Sequence, residues 1–198
     1  MKSDYIFINC PFDNEYFELL SASLFTIIYL KKIPLISETK DSGKNRLEQI
    51  ISLMEQAQYS IHDLSRIEGE KPRFNMPLEL GIDLGLKRSK QFKNKQILIL
   101  EGEKYSLKSI MSDLAGNDTK HHNNEPDEII KCIRDWFFSA IEKIDIVYTE
   151  IWLDYNDFSI NFEKELKSKG VPVPITIDTM PLSELIDNMK KYVDEVKK

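Results

Sequence analysis

Residues 5–10 read YIFINC, and residues 11–14 read PFDN. The first stretch is short, apolar and rich in β-formers, which suits a strand buried on both faces. Pro11 ends it and turn residues follow. Residues 15–32 then carry Phe17, Leu20, Leu24, Ile27 and Ile28 at helical spacing, with enough further apolar residues to imply deep burial. Residues 33–37, IPLIS, form a second strand, and ETKDSGK is a loop.

The same rhythm continues. Residues 45–59 place Leu47, Ile50, Ile51, Met54 and Ala57 on one helical face. Residues 59–64, YSIHDL, read as a third strand with Asp63 at its end. After a polar loop, FNMPLELGIDLGLK opens a helix with Asn75 as its expected N-cap and Pro77 in its first turn. Gly81 and Gly85 lie one turn apart, which would let the helix lie close against a sheet. Residues 95–100, KQILIL, make a fourth strand, residues 106–114 a short helix, and residues 118–122 a short fifth strand. Residues 127–144 form a clear amphipathic helix.

Strands alternating with helices of this length imply βαβ units and a parallel sheet. Right-handed crossovers would put helices on both faces. The expected fold is therefore α/β and flavodoxin-like (Rossmann-like), a sheet of about five strands in the order 2-1-3-4-5. Composition changes after residue 145, where IVYTEIWLDYNDF is aromatic-rich. A helix is expected over residues 157–168, a loop or edge strand at GVPVPITID, and a last amphipathic helix through Leu182, Leu185, Ile186, Met189 and Val193. The expected division is an α/β domain over 1–144 and a mostly helical appendage over 145–198, packing on the core or on a second subunit.

The net charge of −6 argues against generic nucleic-acid binding, which needs clustered Lys and Arg. Lys87, Arg88, Lys90, Lys93 and Lys95 do form a basic run, but no aromatics interleave with it, so it reads as a solvated helix end. The two cysteines, Cys10 and Cys132, stand outside any ligand or CxxC pattern. With no signal peptide, this fits free thiols and a cytoplasmic location. No apolar run is long enough for a transmembrane span.

Several motifs are missing. No GxGxxG follows the first strand, and there is neither a GxxxxGK[ST] loop nor a GxSxG elbow. The three histidines, His62, His121 and His122, do not suit a histidine-based metal site. No metal or cofactor is expected. His121 and His122 fit either a polar surface loop or a ligand contact.

In a doubly wound sheet, ligands bind outside the carboxyl strand ends where strand order reverses. For this order the crevice lies between strands one and three. Asn9, Pro11, Phe12 and Asp13 fall there from strand one, Asp63, Ser65 and Arg66 from strand three, and Asn75, Met76 and Glu79 from the following helix. Glu38, Ser42 and Arg46 stand at the rim. Glu79, near a helix amino end, would be favoured in its ionised form and suited to act as a nucleophile or to stabilise an oxocarbenium-like transition state. The alternative is that it only complements the helix dipole. Asp63 fits a ribose contact, an orienter of Glu79, or a loop hydrogen bond. Arg46 fits a phosphate contact or a surface ion pair, and Phe12 a base stack or core packing.

A strand ending in Asp63, a loop, and then FNMPLELGIDLGLK resembles the nucleoside 2-deoxyribosyltransferases and their relatives, including TIR-like domains. The resemblance covers about residues 4–100. INCPFD and IHDLSR, with FNMPLELG, also resemble a group of bacterial proteins. The transferases carry Gly-Thr before their Glu, where this chain has Asn75, Met76 and Pro77. The resemblance implies Glu79 as catalytic carboxylate and Asp63 as substrate contact. It implies a nucleotide- or NAD-directed N-glycosidase, in some relatives serving anti-phage defence. The alternatives are a nucleotide- or signal-binding module without turnover, regulating a partner effector, and an assembly protein. The expected partner is a nucleotide or nucleoside, with NAD among the candidates. Neither nucleic acid nor membrane is expected, and a homo-oligomer is.

Overall fold

The computed structural model describes residues 2–37, 45–67, 73–107, 111 and 119–197. Five parallel strands, β1 (Lys2–Asn9), β2 (Ile33–Leu35), β3 (Ala57–Asp63), β4 (Gln96–Glu101) and β5 (Thr119–His121), stand in the order β2-β1-β3-β4-β5. This is the flavodoxin-like α/β arrangement that the strand rhythm predicts. Most of the helix expected over residues 106–114, the rim residues Glu38 and Ser42, and most of the loop after strand three lie outside the described residues.

By compactness the chain divides into two units. The first comprises residues 1–11 and 31–124, the second residues 12–30 and 125–198. Helix α1 (Phe17–Tyr29) and helix α4 (Pro126–Ala140), assigned by the sequence rhythm to a 1–144 domain, thus group with the carboxyl-terminal helices α5 (Tyr148–Ser168) and α6 (Leu182–Val196).

In the first unit, α2 (Arg46–Gln56) and α3 (Asn75–Arg88) cover one face of the sheet. Phe7 meets Ile50 and Met54 of α2, with Ile82 and Leu86 of α3 beside them. Met76 and Leu80 of α3 meet Leu64, Ile67, Ile99 and Leu107. Alternation along a strand puts Phe7, Asn9, His62 and Ile99 on this side, and Ile8, Ile61, Asp63 and Leu100 on the other. Asn45 caps α2, its side chain accepting the Leu47 N–H at 3.0 Å.

Two expectations about α3 are corrected. Asn75 is not its N-cap; it is the first helical residue, Phe74 precedes it, and no side chain caps the helix. Nor do Gly81 and Gly85 sit against the sheet. Both are exposed, and a Cβ added at either would meet nothing within 4 Å. The buried stripe of this helix runs through Met76, Glu79, Leu80 and Asp83, so the glycines fall on the outer face.

In the second unit α1 packs against α4, α5 and α6. It is buried from Leu19 to Tyr29, and it tolerates Ser23 and Thr26 because their hydroxyls donate to the carbonyls of Leu19 (2.8 Å) and Ala22 (2.7 Å). The Phe25 ring lies 5.5 to 6.1 Å from the rings of Tyr29, Tyr155, Phe158 and Tyr192. The Tyr29 hydroxyl lies 2.8 Å from Glu150 Oε1 and 2.7 Å from Asp154 Oδ2. Helix α5 begins nine residues before the expected start at 157. Ile151, Tyr155, Phe158, Phe162 and Leu166 make one buried face at helical spacing, and that face overrides the β-preference of the aromatic stretch. Among the described residues no helix is long and apolar enough to cross a membrane.

Candidate functional site

The carboxyl ends of β1 and β3 meet in register, with Asn9 opposite His62. The Asn9 amide donates to the Met76 carbonyl at 3.1 Å, and its nitrogen lies 3.0 Å from His62 Nδ1. An amide N–H pointing at Nδ1 makes that atom the acceptor, so the ring proton sits on Nε2. Nε2 lies 3.0 Å from Asp83 Oδ2, and Asp83 Oδ1 lies 3.1 Å from Lys95 Nζ. Lys95 also donates to the carbonyls of Met54 (2.7 Å) and Ala57 (2.8 Å). The ammonium thus has two carbonyl acceptors and a carboxylate oxygen at ion-pair distance. Asn9, His62, Asp83 and Lys95 are all buried.

The charges in this chain follow from that packing. Burial holds the His62 imidazole below its ordinary value, and so neutral, against the pull of Asp83. Burial works to raise the Asp83 carboxyl, but the His62 hydrogen bond and the charges beside it win, and Asp83 stays below the usual carboxylate value. Burial also lowers the Lys95 ammonium, with Asp83 opposing. A buried lysine so paired leaves an expensive orphan if either partner is removed.

Glu79 lies on α3 between these two anchor points, Met76 and Asp83. It is 7% exposed, and Asn75 Nδ2 donates to its Oε1 at 3.3 Å. It is the fifth residue of the helix, past the first turn, where the dipole effect has faded. Burial therefore decides, and it raises the Glu79 pKa, while the Asn75 bond and the Arg46 charge pull the other way. This reverses the expectation that the helix end would favour the ionised form. Asn75 and Arg46 are both exposed, so the carboxyl sits just under the surface.

Asp63 projects from the opposite face of β3. Its Oδ1 accepts the Ser65 N–H at 2.9 Å, and its Oδ2 lies 2.9 Å from His122 Nε2. His122 Nδ1 in turn accepts the Asn124 N–H at 3.1 Å. His122 is fully buried, not part of a polar surface loop. Asn123 and Asn124 both have positive φ, 52° and 59°, which asparagine tolerates better than most residues. Gly102 fits beneath this turn. A Cβ there would come within 3.2 Å of Ser65 Cβ and 3.3 Å of Asn124 Oδ1. Glu101, buried at the end of β4, accepts from the N–H groups of Tyr105 and Leu107 and from the hydroxyls of Ser106 and Thr119.

The remaining site expectations separate. Met76 is core, and only its carbonyl serves the strand end. Pro11 is buried. Ser65 is half-buried, and its hydroxyl oxygen has no partner among the described residues. Phe12 and Asp13 belong to the second unit. Phe12 is 37% exposed, and Asp13 Oδ1 takes the Tyr16 N–H at 2.9 Å, ahead of α1.

His62, Asp83, Lys95 and Glu101 were not picked out by sequence reasoning as site residues, and His122 was weighed only as a ligand contact or a surface-loop residue. For His62 and Asp83 a signal existed. His62 is a polar residue inside an apolar strand, and Asp83 falls four residues after Glu79 on a buried stripe. Among the described residues no group of three or more His, Cys, Asp or Glu could hold a metal ion. Set against known proteins, the chain matches no family model, no curated protein and no solved structure.

Proposed function

We propose that the protein binds a ribosyl compound, a nucleoside, nucleotide or NAD, at the carboxyl ends of β1 and β3. In this reading it hydrolyses the C1′–N bond with Glu79 as the catalytic carboxyl. The observation that carries the reading is a near-buried carboxyl with a raised pKa on a helix anchored on both sides of it, at Met76 by Asn9 and at Asp83 by His62 and Lys95. Shifted carboxyls in fixed geometry suit acid–base work. Water would add to C1′ as the C1′–N electron pair leaves with the base. Glu79 would take the water proton and return it to the departing nitrogen. Nicotinamide leaves NAD as a neutral molecule and needs no such proton, so in that case Glu79 would pass the water proton to solvent. Arg46, whose charge already acts on Glu79, would meet a phosphate. The resemblance to deoxyribosyltransferase-like and TIR-like proteins supports the same chemistry. With it comes a cytoplasmic setting in nucleotide metabolism or anti-phage defence, and a homo-oligomeric state.

One observation favours a second reading, a nucleotide-binding module without turnover. Asp63, the other carboxylate at the strand ends, is committed to Ser65 and His122. The test is incubation with NAD and with purine and pyrimidine nucleosides and mononucleotides, followed by chromatography of the released base. Release that falls at least about 100-fold in Glu79→Gln supports the enzyme. Release that survives the substitution overturns it. A thermal shift with a nucleotide but no product supports the binding module.

A further inference from the structure

The second unit holds a cavity of about 400 Å³ between α1, α5 and residues 174–176. That is the size of a small-ligand pocket, about 300–1,000 Å³. Its walls carry the rings of Phe17, Tyr155 and Phe158 and the carboxylates of Glu18 and Glu163. No Lys, Arg or His is among its lining residues. Among the described residues neither carboxylate belongs to an ion pair, whereas neighbouring Glu165 is held by Lys169.

Both carboxylates act on one buried point. Tyr155 is 5% exposed, and its hydroxyl donates to the Glu18 carbonyl at 3.3 Å. Burial pushes the phenol up to about 12; bonds with Ser21 and Ser159 oppose the rise, and the charges of Glu18 and Glu163 add to it. The segment that closes the cavity is tied down as well. Asn14 Nδ2 donates to Asp178 Oδ2 at 2.9 Å, and Asn14 Oδ1 accepts the Ile177 N–H at 3.2 Å.

We propose that this cavity binds an organic ammonium ion on a short hydrocarbon stem, the charge held by Glu18 and Glu163 and the stem lying along Phe17 and Phe158. An anion would meet two carboxylates and no cation. A neutral ligand would leave both carboxylates unmatched. A bare metal ion would make no use of aromatic walls, whereas ammonium groups are attracted to ring faces.

The test is calorimetric titration of the full chain at low salt with 1,4-diaminobutane, 1-aminobutane, 1,4-butanediol and magnesium chloride. Saturable binding of the diamine at one site is expected, weaker for the monoamine and absent for the diol and for magnesium. Glu18→Gln and Glu163→Gln should each weaken the diamine about tenfold, the effect of roughly 1.4 kcal/mol. Glu165→Gln should leave it unchanged, and circular dichroism should show all three variants folded. No saturable heat at millimolar diamine, equal binding of the diol, or an equal loss in Glu165→Gln would overturn the proposal.

Discussion

His122 Nε2 lies 2.9 Å from Asp63 Oδ2, with both side chains shut away from solvent. Because His122 Nδ1 is already an acceptor for Asn124, the ring proton sits on Nε2, at ion-pair distance from the carboxylate but out of line for a hydrogen bond. The pair therefore ties the end of β3 to the turn after β5. It stands on the other side of the sheet from Glu79.

Asp63→Asn removes the negative charge beside that proton and can present its own N–H to it. The expected cost is about 1–3 kcal/mol of stability, read as a lower urea midpoint. Base release per folded molecule should not change. A large loss of turnover at unaltered stability would return Asp63 to the substrate.

His62 sets a pH dependence. Burial keeps its folded pKa below the ordinary 6.5, so the unfolded chain gains a proton there first as pH drops. The stability of the neutral ring is complete above about pH 6.5 and is lost as pH falls toward the folded value, by up to about 1.4 kcal/mol per pH unit. Urea unfolding from pH 7.5 to 5 should show this slope, and His62→Gln should flatten it by close to one proton. An unchanged slope in the variant would remove His62 as its source.

Glu79 has the opposite sign. Its folded pKa is raised, so the stability it contributes is present at low pH and lost as pH rises through that value. Glu79→Gln should therefore stabilise the protein at pH 8, by about 0.5–2 kcal/mol, and do little at pH 4. Destabilisation at pH 8 would make the carboxylate a structural partner of Asn75 and Arg46 instead.

Strand order and element sequence were legible because YIFINC, YSIHDL and KQILIL are apolar runs separated by helical periods, and parallel βαβ chirality leaves few arrangements. The start of α5 was not legible, since aromatic residues such as Tyr148, Trp152 and Tyr155 have no strong helix preference and no local pattern shows which face they bury. At the site, the position of Glu79 on a helix after β3 could be read, but its charge state could not. Spacing from the helix end suggested stabilisation of the anion; the extent of burial reversed it. The Asp83–Lys95 and Asp63–His122 pairs join residues of different elements, and no local pattern announces such a partner.

Helix α2 ends at Gln56 and β3 begins at Ala57, with no residue between them. Lys95 grips the carbonyls of Met54 and Ala57 on either side of that join. Helix and strand are thereby welded into a single lever with no hinge. New termini or an inserted residue at this seam would split the clamp and strand the Asp83 charge, so circular permutants of this chain must be cut elsewhere.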